Sequence, residues 1–513
     1  MFTLKSETPD SKVYLATART LSRIGANSLI TTQAKPTHFA KLFYYVGEQG
    51  SGKSCLLTKH LLESCLDSTL TNLPLITLIH RGDENTRLVK TLKAALPAYK
   101  SFLATDKMIN NTADSAINPF DTLLGATTAP PITRHNAERF LTTLLTPSER
   151  AEPYSHTASM VDYLVQHVFE ATHGKKPTIH KMYSLGDNLD LDRAVISHRI
   201  VDMYEYMKKD ADGGVTMKVR LPNSEAIGYA QLARRLHIAG LKQKTGCSTQ
   251  KELFYARDIA HSLSVPVLGD LLTVLNKMPP LLHSEVNPDT GERSRDYAYR
   301  IIEQSIEDYP CFANPTRIHL NDARVVAINL KQVITGNHRN DMLFIQAARM
   351  AAMKKVGYRN SDIHSEIIDD IYLSHHTDHL KAIFSDYKVV AYEGMEIING
   401  DNTLRALFES DARERRPLGV DMVLTSTSLN DFNFSLDSEK PYLALYATDF
   451  FFTSKPSSTE IDVFKSVLTD NEEVVSDLDF IDANTFFAYS RPQTERLSDN
   501  LVITKLQPRR PNR

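Results

Sequence analysis

Two short apolar runs, Leu42–Val46 and Leu75–Ile79, open the ordered pattern of this chain, each bounded by turn-forming residues. Runs this short, without polar alternation, predict strands covered on both faces, as in a parallel sheet. Between them, Ser54–Leu66 repeats its apolar residues at helical spacing. Strand, helix and strand in that order predict a βαβ unit with a right-handed crossover. The pattern assigns 41–128 to the first part of an α/β domain, and the mixed, polar residues 1–40 to an extension over its edge. From 129 to 312 the rhythm changes. Apolar residues recur at three and four spacing, as in Phe140, Leu141, Leu144 and Leu145, in Met160, Tyr163, Leu164, His167 and Val168, and again over 224–246 and 250–278. This predicts a mostly helical insertion. Strand-like runs return over 313–492, at Arg324–Leu330, Lys388–Tyr392, Gly419–Thr425 and Tyr442–Phe451, with helical stretches at 340–357 and 401–416. The expected architecture is one α/β domain, a mainly parallel sheet flanked by helices, interrupted by a helical subdomain. Residues 493–513 read as a flexible tail.

Composition narrows the picture. Apolar residues make up 42% and charged residues 24% of the 513, ordinary for a globular protein able to bury a core. A formal net charge of −3 gives nucleic-acid binding no general electrostatic support. Cys55, Cys65, Cys247 and Cys311 form no CxxC pair, so neither a zinc knuckle nor a disulfide framework is expected, and a reducing cytoplasm is the simplest setting. No uninterrupted apolar run of membrane length stands out, so association with a membrane is expected only through partners.

The chemistry concentrates after the first strand. Gly47-Glu48-Gln49-Gly50-Ser51-Gly52-Lys53-Ser54 fits G-x-x-x-x-G-K-[ST], with Cys55 following. Glycines let backbone N–H groups wrap a polyphosphate, and the next helix presents its positive end to the anion. Lys53 is expected to reach the β- and γ-phosphates of ATP, and Ser54 to bind Mg²⁺. Such a site needs an acid at the end of a neighbouring strand. Arg324–Leu330 ends without one, whereas Lys388–Tyr392 is followed by Glu393-Gly394-Met395-Glu396. Glu393 is the candidate for the Mg²⁺ acid, with Glu396 as a second acid. Gly394 occupies the usual place of a catalytic Glu and cannot act as a base. Arg413, Arg415 and Arg416, before the Gly419 strand, read either as helix C-terminal charges or as arginine fingers reaching a neighbouring subunit's nucleotide. The His375, His376 and His379 cluster reads as solvated histidines rather than a metal site. Asn118-Pro119-Phe120-Asp121 is a turn, structural or near the pocket. The basic end Arg509, Arg510 and Arg513 reads as a solubilising tail.

Together these landmarks resemble a family. GEQGSGKS at 47–54, LPLITLIHRG at 73–82, AINPFDTLLG at 116–125, PTRIHLNDARVVAINL at 315–330, YEGME at 392–396 and RERRPLGVDMVLTSTSLNDF at 413–432 follow the order seen in the C-terminal ATPase half of type IV secretion and conjugal-transfer ATPases. The chain is most similar to the IcmB (DotO)/TraU kind, within the HerA–FtsK group of RecA-like motors. The resemblance implies a RecA-like P-loop domain interrupted by an all-α insertion, a hexameric ring at the cytoplasmic face of an inner-membrane transfer complex, and other subunits of that apparatus as partners. It also implies ATP between subunits, with Lys53 and Ser54 on one side and Arg413, Arg415 or Arg416 of a neighbour on the other. Three positions depart from the family pattern: Glu393 for the acid, Gly394 for the following Glu, and Thr427 where the polar sensor is often Gln. Binding of ATP follows from the resemblance. Hydrolysis divides it into an ATPase motor and a catalytically impaired structural subunit, with a DNA translocase as a third reading. The family's large N-terminal half has no counterpart before the P-loop here.

Overall fold

The computed structural model describes residues 14–17, 40–66, 72–82, 86–147, 150, 152–173, 177–202, 204–209, 215–220, 227–280, 285–287, 289–318, 320, 323–356, 362–364, 366–384, 386–394, 396, 402–432, 447–468 and 485–490. The tail 493–513 and all of the 1–40 extension except 14–17 and 40 lie outside them. The chain divides into two compact units. The first comprises 1–110, 319–359 and 379–513, and the second 111–318 and 360–378.

Eleven strands are described: β1 Tyr14–Thr17, β2 Leu42–Val46, β3 Leu75–His80, β4 Ala104–Met108, β5 Tyr204–Lys209, β6 Val215–Arg220, β7 Val325–Asn329, β8 Lys388–Tyr392, β9 Val420–Ser426, β10 Asp449–Phe452 and β11 Thr485–Ser490. Nine of them build one sheet in the first unit, in the order β1-β11-β10-β2-β9-β8-β3-β7-β4. The seven from β10 to β4 are all parallel, and β11 and β1 continue the sheet antiparallel. Register aligns the strand ends on one rim. Val46 stands opposite Ser426 and Phe452, and Tyr392 opposite Leu424 and Ile79.

Side chains explain why these runs are strands. Every residue of β2, β3, β7, β8 and β9 is buried, as a sheet covered on both faces requires. On one face Phe43, Tyr45, Ile76, Leu78, Val389, Ala391 and Val423 pack with Leu57 and Leu61 of helix Lys53–Leu66 and with Leu88, Val89 and Leu92 of helix Thr86–Ala95. Truncating a side chain as fully buried as Leu57 or Leu61 to Ala costs about 2–5 kcal/mol. Between helices His338–Val356 and Asn402–Leu418 lies a buried ion pair, in which Arg349 grips both carboxylate oxygens of Asp411. Breaking one partner of such a pair leaves an uncompensated buried charge.

The apolar pattern finds β2, β3, β7, β8 and β9 within a residue or two. It misses β4, an edge strand whose burial fades after Ala104, because Thr105 is half-buried, Asp106, Lys107 and Met108 are exposed, and no apolar run is left. It also places the last strand early: β10 begins at Asp449, and residues 442–446 lie outside those described.

Among its described residues the second unit is helical apart from one antiparallel strand pair, β5–β6, with Tyr204 opposite Arg220 and Lys209 opposite Val215. The alternating, polar sequences of these strands carry no helical repeat, and the pair is a small β addition to an insertion that is otherwise helical as expected. Helices Leu189–Ser197, Tyr229–Leu241 and Ser248–Ser264 share a core of Leu191, Val195, Leu232, Leu236, Leu253 and Ile259. The span Ser248–Asn276 is long and apolar enough to cross a membrane by length and composition alone. It is two helices, Ser248–Ser264 and Leu268–Asn276, parted at Pro266, and most of it is buried within the protein. Asn118 is a structural turn. Its side-chain oxygen accepts from Phe120 N–H at 3.0 Å, and its amide donates to the Pro266 carbonyl at 2.7 Å. The 374–379 stretch lies inside helix Asp370–Phe384, where His376 is buried with its Nε2 bonded to the Leu124 carbonyl at 2.8 Å, so the expectation of solvated histidines is corrected for His376. Among the described residues, no group of three His, Cys, Asp or Glu is placed to hold a metal ion.

His60 gives the first unit a pH dependence. Tyr45 O–H lies 2.6 Å from its Nδ1, and burial pushes its pKa down from 6.5 to about 4. The folded-state value lies below the unfolded one, so the contribution is complete above pH 6.5 and is lost as pH falls through that window. The loss amounts to about 3 kcal/mol once pH is below 4. Urea unfolding at pH 7 and pH 4.5 should show this slope, and His60→Gln should flatten it.

Candidate functional site

The P-loop leaves β2 at Val46 and is tied to the strands on either side. Gly47 N–H donates to the Ser426 carbonyl of β9 at 3.3 Å, and Glu48 N–H to Ser454 Oγ, just past β10, at 2.8 Å. Ser51 Oγ and Thr453 Oγ1 share a hydrogen bond of 2.6 Å. Gly50 and Gly52 hold left-handed backbone, with φ of +82° and +94°, which side-chain-bearing residues rarely adopt. Gly47 is needed for space, since a Cβ there would lie 2.2 Å from Thr453 Oγ1. Helix Lys53–Leu66 starts immediately, so its first N–H groups open onto the loop. Gly47 is buried, Ser51, Lys53 and Ser54 are half-buried, and Glu48, Gln49, Gly50, Gly52 and Cys55 are exposed. A cradle with left-handed glycines at a helix N-terminus fits a polyphosphate.

Lys53 lies within this loop. Its ammonium donates to the Gly47 carbonyl and, at 2.8 Å, to the Glu48 carbonyl. Burial lowers its pKa, while Glu396, then Glu393, then Glu48 pull it back up. Both acids expected from the sequence are therefore within electrostatic reach of Lys53, and Glu396 bears on it more than Glu393. Glu393 sits at the end of β8 with its N–H on the Ile79 carbonyl at 2.9 Å. One strand, β9, separates β8 from the P-loop strand. Ser54 and a single carboxylate would suit Mg²⁺, which keeps several waters and takes few protein ligands.

Gly394 also has left-handed backbone, φ +78°, and its N–H donates to Thr425 Oγ1 of β9 at 3.1 Å. A Cβ at 394 would lie 2.9 Å from Nε of Arg81. A glutamate there would be strained by this backbone and would need Arg81 to move aside. Arg81, just past β3, forms an ion pair with Glu396.

The three arginines of 413–416 separate. Arg415 is 2% exposed, and one of its guanidinium nitrogens donates to the Ala412 carbonyl. Its expected role as a finger is corrected, because a side chain sealed in the core of its own unit does not reach a neighbour. Arg413 is exposed and paired with Glu409 one turn back, and Arg416 is exposed.

Sequence reasoning misses two acids beside the loop. Asp431 accepts from Ser426 Oγ and from Ser428 N–H at 3.2 Å, and burial raises its pKa despite those bonds, with Glu396 and Glu460 adding to the rise. Glu460 accepts from Leu429 N–H and Ser457 N–H, both at 2.7 Å, and these bonds hold its pKa down against burial. Glu460 also lines a cavity of 340 Å³ beside Gly47, Thr427, Ser454 and Lys455. Asp431 falls within the 413–432 stretch without being singled out there, and Glu460 lies outside every motif. Only the folding of 427–432 and 453–460 around the P-loop brings them there.

A P-loop on an inner strand of a parallel sheet, facing carboxylates two strands away, places the domain in the RecA-like P-loop class of α/β folds. No family model matches the chain, and no curated protein matches it. Among solved structures it is similar to VirB4 of Thermoanaerobacter pseudethanolicus, at 12% identity and a TM-score of 0.45 over 86% of this chain and 84% of that one. At that identity and score the site has to be read from its own geometry.

Two substitutions check this geometry. Arg415→Ala should lower unfolding stability by about 2–4 kcal/mol in chemical denaturation, as loss of a buried polar side chain does, whereas a solvent-facing finger would leave stability unchanged. Gly47→Ala should cost about 1–3 kcal/mol through the collision with Thr453, and Thr453→Ala in the same chain should recover part of it.

Proposed function

We propose that this chain binds Mg-ATP at its P-loop and acts as the ATP-driven subunit of a bacterial type IV secretion or conjugative DNA-transfer apparatus. The observation that carries the nucleotide reading is the cradle itself: Gly50 and Gly52 in left-handed backbone, Lys53 at the helix N-terminus, and Glu393 and Glu396 in electrostatic reach of Lys53. The apparatus is supported by the order of sequence landmarks from the P-loop to 413–432. Lys53 would leave the Gly47 and Glu48 carbonyls for the β- and γ-phosphates. Ser54 Oγ and Glu393 would hold Mg²⁺, which supplies charge neutralisation across those phosphates when bound. Glu396 would orient the attacking water. Exposed Arg413 and Arg416 would complete the site of the next subunit in a hexameric ring, at the cytoplasmic face of the inner membrane and held there by partner subunits.

A second reading is favoured by one observation. Gly394 supplies no base at the usual position, and its left-handed backbone disfavours any side chain there, which suits a subunit that binds nucleotide without turning it over.

Titration calorimetry with Mg-ATP and a phosphate-release assay separate these readings. Wild-type protein is expected to bind, and Lys53→Ala to weaken binding about 100-fold by removing charge-assisted hydrogen bonds. Phosphate release lost in Lys53→Ala supports the motor, and binding without release supports the structural subunit. Release stimulated by DNA, with steep salt dependence, would instead support a translocase. Equal ATP affinity of wild type and Lys53→Ala would sink the P-loop reading.

A further inference from the structure

We infer that Arg81 is an in-chain cation for the terminal phosphate of a nucleoside triphosphate, held by Glu396 until that phosphate replaces the carboxylate. The inference rests on the nucleotide reading and adds to it a residue outside the P-loop and the acidic turn, the arginine of the LPLITLIHRG stretch.

Three observations converge on Arg81. It stands at the end of β3, the strand beside β8, on the same rim as the P-loop. Its guanidinium pairs with Glu396, the acid that bears most on Lys53. It also fills the space that a side chain at 394 would take, since a Cβ there would lie 2.9 Å from Arg81 Nε and 3.4 Å from its Cζ. Gly394 thus does more than omit an acid. It lets a cation into the place where an acid is expected, and its N–H bond to Thr425 keeps the turn in the conformation that leaves this room.

The charges make the exchange favourable. Glu396 is drawn to two cations, Arg81 and Lys53. Lys53 is itself held by two loop carbonyls. A terminal phosphate brings more negative charge than a carboxylate and matches the planar guanidinium fork. Arg81 would then bind the phosphate, and Glu396 would be released toward Lys53 and the attacking water. Nucleoside diphosphate lacks the group that drives this exchange. Arg81 therefore makes the site prefer triphosphate over diphosphate. A merely structural role predicts something else. The Arg81 side chain is 41% exposed and that of Glu396 29%, and pairs so accessible contribute little to folding.

The test is the ratio of affinities, read by calorimetry with a non-hydrolysable ATP analogue and with ADP, each with Mg²⁺. In Arg81→Ala the analogue is expected to bind about tenfold more weakly, and ADP less than twofold. Arg81→Lys should recover only part of the loss, since an ammonium lacks the fork. Gly394→Ala, which crowds Arg81 from the other side, should shift the ratio in the same direction. Unfolding midpoints of Arg81→Ala and wild type should coincide. Equal weakening of both nucleotides, or of neither, overturns the role of Arg81. Wild-type protein that binds neither nucleotide overturns the P-loop reading, and this inference with it.

Discussion

Parallel pairing is the constraint on which the rest of this molecule depends. Two parallel neighbours cannot be joined by a tight turn, so each needs a crossover that covers a face of the sheet. Seven consecutive parallel strands therefore bury both faces, which is why β2, β3, β7, β8 and β9 contain no exposed residue. The same constraint sends every one of those strand ends to one rim. Loops after β2, β3, β8, β9 and β10 meet there, and they bring Lys53, Arg81, Glu393, Thr425 and Thr453 together from distant parts of the sequence.

On that rim, backbone conformation decides which charges can be present. Gly394 is left-handed, so no acid follows Glu393, and a cation occupies the space. The hydroxyls of Thr425 and Thr453 fix the two loops by accepting or sharing hydrogen bonds without adding charge. Behind the rim, charge is handled differently. Arg349 and Asp411 satisfy each other in the dry space between two helices, and Arg415 is sealed in the core with a backbone carbonyl for a partner. Arginines of one chain thus serve as packing, as surface charge and as site cation, and their surroundings rather than their neighbours in sequence divide these roles.

This explains what the sequence could and could not disclose. The P-loop is legible because all its requirements are local: glycines for the turn, a lysine, a hydroxyl, and apolar runs before and after. The inner strands are legible because burial on both faces leaves an unbroken apolar run. Edge strand β4 is not, since solvent on one side removes that run. Arg415 and Arg416 are adjacent and chemically identical, yet one is buried and one exposed, a difference set by helical phase against the core. Arg81 had one signal, an arginine directly after a buried strand, but its meaning depends on the φ of Gly394 more than 300 residues later. Glu460 had none, and Asp431 was one residue of a long landmark, because hydrogen bonds across folded loops, not spacing, place them by the nucleotide loop.

The seat of β2 in the sheet has a consequence for how the chain is made. Its two neighbours, β9 and β10, come late: Lys41 N–H meets Asp421 across a separation of 380 residues, and Leu42 N–H meets Thr448 across 406. At synthesis rates of 5–20 residues per second, the apolar strand LFYYV leaves the ribosome about 20–80 s before either neighbour exists. Residues 111–318, a continuous stretch of the second unit, are complete well before then. The nascent chain must therefore carry an unpaired, fully apolar strand through most of its own translation. That interval is when a chaperone would have most to protect, and when association between growing chains would do the most harm.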